Sequence, residues 1–68
     1  MDEEAFNLST RQFLKRLGVT SQREIEQGVR DQIEQGRLSG DERLPARATV
    51  TVEGLPEPIV IEGEIALS

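Results

Sequence analysis

The spacing of the apolar residues changes near residue 40, and this change constrains the fold of the 68-residue chain more than any other feature. Before residue 40, apolar side chains recur every three or four residues, as they do along one face of an α-helix. After it, they alternate with mostly polar side chains, as they do in a strand with one covered face. The sequence therefore predicts an α+β protein with its helical part first and a β-hairpin last.

Two helices are expected in the first part, because Gly18 interrupts the helical pattern. Glycine adopts the left-handed conformation at a helix end without steric cost. Shortly after it, Ser21 forms a capping box with the glutamate three residues later, which is typical of a helix start. We therefore expect one helix over about residues 2–17, a second over about 21–35 and a loop over 36–45.

The sequence leaves the start of the first helix open. Asp2 and the two glutamates after it suit the positive end of a helix dipole. Ser9 and Gln12 have the spacing of a capping box, which favours a later start. Asp2 and Ser9 are therefore alternative starting points.

The β-hairpin is predicted from two alternating segments, at about residues 46–53 and 58–67. Its register is set by the requirement that all the apolar side chains lie on one face. The pairs expected in this register include Val52–Ile59, Val50–Ile61 and Arg47–Glu64.

Together these elements predict a single domain, residues 1–68, in which a two-helix hairpin packs on the β-hairpin in the order α–α–β–β. A chain of this size buries only about 60% of its unfolded surface, so the domain is marginal without tight packing or a partner subunit. Its core is expected to draw on both helices and both strands. The expected core residues are Phe6, Phe13, Leu14, Leu17, Val19, Ile25, Val29, Ile33, Val50, Val52, Ile59, Ile61 and Ile65.

The residue types needed for most catalytic chemistry are missing. The chain has no cysteine and no histidine, and Lys15 is its single lysine. A serine or threonine nucleophile therefore lacks a base, and a transition metal lacks its usual ligands. Neighbouring acids are expected to be solvated, and these are Glu62 with Glu64 and Asp41 with Glu42. We predict a protein that is not an enzyme and that holds no cofactor and no metal.

The charge and hydropathy of the chain disfavour nucleic acid and membranes as partners. The formal net charge is −5 at pH 7, which opposes attraction to phosphates and anionic lipids. The longest apolar run, residues 58–61, is far shorter than the roughly 20 residues that cross a membrane. The N-terminal segment MDEEAFN is acidic, whereas a secretion signal begins with basic residues. We expect a soluble, cytoplasmic protein.

One feature nevertheless favours an alternative function, a helix-turn-helix regulator that binds nucleic acid. Two helices joined at a glycine have the general form of that motif. Arg23, Arg30 and Arg37 are seven residues apart, so they would share one face of the second helix and meet phosphates there. The acids on the same helix outnumber them, which argues against this function.

The preferred hypothesis is a protein-interaction module, which binds an unidentified protein partner or forms a homodimer. A two-stranded hairpin is marginal in water and carries unpaired backbone groups at both edges. The candidate self-association edge lies on the second strand and consists of Val60, Glu62, Glu64 and Ala66. The two glutamates oppose pairing, because each would approach its counterpart across a two-fold axis.

Residues 2–33 resemble a small bacterial family of about this length that is known as a domain of unknown function. The elements FN, R-x-FLK and GVTSQREIE carry the resemblance, and they comprise Phe6, Asn7, Arg11, Phe13, Leu14, Lys15 and Gly18 to Glu26. The segment IEGEI, Ile61 to Ile65, matches more loosely. The resemblance implies a small, stand-alone bacterial protein of the cytoplasm, and it implies no activity, ligand or catalytic residue.

Overall fold

The computed structural model describes residues 1–68 as two compact units, residues 1–37 and 38–68. The first unit contains one helix, α1, which spans Glu3–Glu34. The second contains two strands, β1 at Arg43–Val50 and β2 at Ile59–Ala66, which pair as an antiparallel hairpin. The predicted two-helix hairpin, and with it the α–α–β–β order, is wrong, because one continuous helix takes its place.

The helix begins directly after Asp2. The Asp2 carboxylate accepts a hydrogen bond from the backbone N–H of Ala5 at 3.1 Å, which satisfies one of the free donors of the first turn. Ser9 instead donates its hydroxyl back to the carbonyl oxygen of Phe6 at 3.1 Å, as a residue inside a helix does. Of the two alternative starts, the structure therefore has the one at Asp2.

Gly18 does not end the helix. A glycine inside a helix costs about 1 kcal/mol relative to alanine, whereas a break leaves four N–H groups and four C=O groups at the new ends without helical partners. Helix-compatible residues lie on both sides of Gly18, so continuing is cheaper than turning. The capping box at Ser21 consequently lies inside α1 and caps nothing.

Gly36 ends the helix, and its backbone explains why. It has φ +79°, a left-handed conformation that glycine adopts without steric cost. The N–H of Arg37 donates to the carbonyl oxygen of Gln32 at 2.9 Å, and that of Gly36 donates to the carbonyl oxygen of Ile33 at 3.0 Å. These two bonds form a Schellman motif, which satisfies carbonyl groups of the last turn.

The apolar residues of α1 lie on two different faces of the helix. Phe6 and Leu17 are eleven residues apart and fall almost on one line of the helix surface. From Ile25 to Ile33 the apolar residues are four apart, so each step turns about 40° further around the axis. No stretch of α1 is apolar enough to cross a membrane.

The predicted core is also wrong, since no side chain is fully buried. Phe13, for example, is 49% exposed, because no second helix turns back to cover it. The only half-buried members of the predicted core are Leu17, Val29, Val50 and Ile65.

The hairpin is paired two residues away from the predicted register. Val50 lies opposite Ile59, and Arg47 lies opposite Glu62. Because the shift is by two residues, the apolar side chains still share one face. That face carries Leu44, Ala46, Ala48, Val50, Ile59, Ile61 and Ile65.

The connection between the strands accounts for the shift. The N–H of Leu55 donates to the carbonyl oxygen of Val52 at 3.0 Å, and Gly54 has φ +103°. Val52 is therefore the first residue of a tight turn, and it is not available to pair with Ile59. The first strand instead begins at Arg43, inside the predicted loop, and extends the apolar face to Leu44.

Candidate self-association edge

The structure separates the three arginines of the nucleic-acid hypothesis. Arg23 and Arg30 lie on α1, whereas Arg37 lies beyond its end and outside the helix. The second helix that would place them in a groove of DNA does not exist as a separate element. The two-helix unit on which that hypothesis depends is therefore absent.

All four residues of the predicted self-association edge lie on β2 and share one face of the hairpin. Val60, Glu62, Glu64 and Ala66 are alternate residues of the strand. They face Thr49, Arg47, Pro45 and Arg43 of β1, in that order.

Their backbone groups point away from β1. The N–H of Leu67 donates to the carbonyl oxygen of Glu42 at 2.9 Å, so this pair is of the hydrogen-bonded kind. Hydrogen-bonded and non-hydrogen-bonded pairs alternate along an antiparallel ladder. In the observed register, the hydrogen-bonded pairs are therefore those whose side chains lie on the apolar face, such as Val50 with Ile59. On β2 the outward-pointing N–H and C=O groups belong to Val60, Glu62, Glu64 and Ala66, and we call these groups the β2 edge.

The opposite side of the hairpin has a weaker edge. By the same alternation, the outward backbone groups of β1 belong to Arg43, Pro45, Arg47 and Thr49, and we call these the β1 edge. Proline has no N–H, and within sheets it occurs at outward positions of edge strands. The β1 edge therefore lacks a donor near its middle, while the β2 edge has all of its donors.

The glutamates of the β2 edge are paired with arginines of the same hairpin. Arg47 donates from Nη2 and Nε to Oε1 of Glu62, at 2.8 and 3.1 Å. Arg43 Nη1 lies 3.5 Å from Oε2 of Glu64. All four side chains are more than half exposed, and such pairs contribute about 0–1 kcal/mol to stability. Their larger effect is on the local charge, which is close to zero at each glutamate.

The side chains flanking the β2 edge are apolar and exposed. Val60 is 53% exposed on the charged face, and Ile61 is 60% exposed on the apolar face. A strand laid against this edge would therefore cover apolar surface as well as satisfy backbone groups.

Glu42 holds the loop that leads into β1. Its carboxylate accepts backbone hydrogen bonds from Ser39 at 2.9 Å and Gly40 at 2.9 Å, with a longer one from Asp41. The bond from Ser39, followed by that from Gly40, lowers the pKa of Glu42 below its ordinary value of 4.5. Glu42 thus orders the loop, whereas the sequence predicted a solvated acid beside Asp41. No group of three or more acidic side chains is placed to hold a metal ion.

Sequence reasoning missed the contributions of Pro45 and Glu42, since both fell in the predicted loop. A signal for Pro45 was present, because a proline next to an alternating segment is typical of an edge strand. Nothing in the sequence distinguishes Glu42 from the other acids, because its role depends on the folded path of the loop.

Comparison with known proteins identifies a family but no activity. A family described as a family of unknown function, DUF6494, matches residues 1–68. The family resemblance found in the sequence is thereby confirmed. No curated protein and no solved structure matches the chain.

Proposed function

The chain belongs to this family of unknown function, and we propose that it is a small, non-enzymatic interaction module that pairs with a second copy of itself along the β2 edge. The observation that carries the proposal is the difference between the two edges. The β2 edge offers an unbroken set of outward donors and acceptors, whereas the β1 edge is interrupted at Pro45.

The alternation of backbone groups restricts how two copies can pair. Only outward-pointing residues can exchange hydrogen bonds, so even-numbered residues of one β2 must lie opposite even-numbered residues of the other. The two-fold register with the greatest overlap sets Val60 against Ala66 of the second copy and Glu62 against Glu64. Gly63 then lies opposite Gly63 of the second copy, across the two-fold axis. The apolar faces of both hairpins lie on the same side of the resulting four-stranded sheet.

The charges at this junction favour pairing more than the sequence suggests. Glu62 meets Glu64 of the second copy, which in isolation would be repulsive. In each hairpin, however, an arginine already lies beside each of these carboxylates. The junction therefore brings together four acids and four bases with no net charge, so the repulsion expected between the acids is offset.

The strength of the dimer follows from the same geometry. Four opposed pairs that each exchange two bonds give about eight ladder hydrogen bonds, worth about 1 kcal/mol each. Association costs at least about 4 kcal/mol in lost freedom of motion. The difference of about 4 kcal/mol corresponds to a weak, reversible dimer whose dissociation constant is no tighter than about 1 mM.

Two proline substitutions test the proposal with matched chemistry. Val60→Pro removes an outward N–H from the β2 edge, and Thr49→Pro removes one from the β1 edge at the same rung of the ladder. Neither N–H takes part in the pairing of β1 with β2. We expect sedimentation equilibrium, from about 0.1 to 5 mM, to give an average mass that rises toward that of a dimer for the unaltered chain and for Thr49→Pro, and a single 7.6 kDa chain for Val60→Pro.

The opposite results have clear meanings. If Val60→Pro associates as strongly as the unaltered chain, β2 is not the interface. An equal loss of association in both variants would place the effect in the stability of the hairpin. Ile61→Pro is not a suitable variant, because the N–H of Ile61 belongs to the pairing with β1.

The setting we propose for this function is the bacterial cytoplasm. The support is the resemblance of residues 2–33 to a bacterial family and the acidic character of the chain, which has a formal net charge of −5. Recovery of the protein in the soluble fraction of its source cell, with none in the membrane or the medium, is the expected result.

A further inference from the structure

We propose that Pro45 ends the growth of the sheet at two copies, an inference that rests on the proposed pairing through the β2 edge. In a dimer joined at β2, the two outermost strands are both β1. Each outer edge then consists of the backbone groups of Arg43, Pro45, Arg47 and Thr49. Whether a third copy can pair with the dimer depends on the charges and the backbone hydrogen-bonding groups of this edge.

Charge alone would favour continued growth. A β2 strand arriving at the β1 edge in the register of the hairpin itself would set Glu62 and Glu64 beside Arg47 and Arg43. These are the same attractive pairs that form within one copy, at 2.8 and 3.5 Å. Such head-to-tail pairing has no two-fold axis, so it does not close and leads to an open ribbon.

Pro45 opposes this addition in two ways. Its missing N–H leaves a carbonyl group of the arriving strand without a donor, at the second of the four outward positions. Its ring also occupies the space into which that carbonyl group would move. The β1 edge is thus divided, and the run between Arg47 and Thr49 is too short to hold a strand.

The other possible contact, β1 with β1 of another copy, is opposed by Pro45 of both copies. When the outward positions of two β1 strands pair about a two-fold axis, each proline lies opposite a residue of the other copy and offers no N–H to that residue's carbonyl group. The remaining edge-to-edge contact is the closed β2 pairing, which gives a dimer.

Replacing Pro45 with a strand-forming residue tests the inference. Pro45→Thr restores the N–H and keeps the exposed position, and it places no strain on a strand. Pro56→Thr is the matched control, because Pro56 lies in the connection between the strands. By sedimentation and light scattering at millimolar concentration, we expect the unaltered chain and Pro56→Thr to approach, and not exceed, twice the mass of one chain. Pro45→Thr should pass that mass and grow further with concentration.

The outcomes distinguish this inference from the proposed function. A Pro45→Thr variant that stops at two copies overturns the role of Pro45 and leaves the β2 pairing in place. An unaltered chain that stays single overturns the proposed function, and Pro45 is then judged by its variant alone. If Pro45→Thr grows while the unaltered chain stays single, Pro45 prevents strand addition at the β1 edge. If Pro45→Thr also stays single, Pro45 does not have this role. Adding Val60→Pro to Pro45→Thr should abolish growth past two copies. Both the closed β2 pairing and the head-to-tail pairing of β2 with β1 need the β2 edge.

Discussion

Glu42 is a residue whose ionised carboxylate takes part in the structure of the loop before β1. Its carboxylate accepts backbone hydrogen bonds from Ser39, Gly40 and Asp41, and its carbonyl oxygen accepts from Leu67. One residue therefore joins the loop after α1 to the first rung of the hairpin. Protonation of the carboxylate weakens the bonds from the loop, since a neutral carboxyl group is a poorer acceptor.

The lowered pKa of Glu42 gives a prediction with a definite sign. A carboxylate whose pKa is lower in the folded chain stabilises the fold above its unfolded pKa, and this stabilisation is lost as the pH falls through the folded value. We expect the amide protons of Ser39 and Gly40 to shift in NMR spectra with a midpoint below 4.5. Glu42→Gln should remove this titration, while Glu53→Gln should leave it unchanged. A midpoint at or above 4.5 would show that the bonds to Glu42 do not form in solution.

The continuity of α1 decides the architecture at the scale of elements. Gly18 and Gly36 each follow a turn of helix. Gly36 has φ +79° and ends the helix, whereas Gly18 lies within it. A methyl group added at Gly18 would meet nothing within 4 Å. The two glycines therefore respond to alanine in opposite directions.

Gly18→Ala should stabilise α1 by about 1 kcal/mol, because alanine loses less backbone freedom in a helix. Gly36→Ala should destabilise it by about 1 kcal/mol, because alanine is strained in the left-handed conformation. Thermal unfolding followed by circular dichroism at 222 nm compares the two variants with the unaltered chain. A destabilised Gly18→Ala variant would indicate that the chain turns at this glycine.

The elements also show how far the sequence alone leads. The change of period near residue 40 correctly places helix before it and strands after it, since each period reflects local geometry. The fate of Gly18 was not predictable, because the same residue suits a helix end and tolerates a helix interior. The apolar face of the hairpin was predicted correctly, but its register was displaced by two residues. Alternation fixes the face only, and the turn at Val52 fixes the register.

The placement of the candidate edge residues, as distinct from their role, was predicted in part, for a related reason. Alternation placed Val60, Glu62, Glu64 and Ala66 on one face of one strand, as the structure has them. Which backbone groups point outward depends on the kind of pair at each rung, and this became visible only in the bond between Leu67 and Glu42. The partners of the two glutamates likewise depend on the register.

The whole molecule has little interior of its own. No side chain is fully buried, and large apolar residues such as Phe6 and Ile61 are more than half exposed. Chains of this size often depend on disulfides, metals or oligomerisation, and this chain has neither cysteine nor histidine. Pairing through β2 would turn a two-stranded hairpin into a four-stranded sheet, which is the smallest change that removes an exposed edge.

Amide hydrogen exchange at two protein concentrations, one well below and one well above the dissociation constant, tests the central claim most directly. The amides of Val60, Glu62, Glu64 and Ala66 have no partner in a single hairpin, so they should exchange fast at low concentration and slow as the dimer forms. The outward amides of β1, those of Arg43, Arg47 and Thr49, should stay fast at both concentrations. Slowing at the β1 positions, or no change at the four β2 positions while the mass doubles, would contradict pairing through the β2 edge.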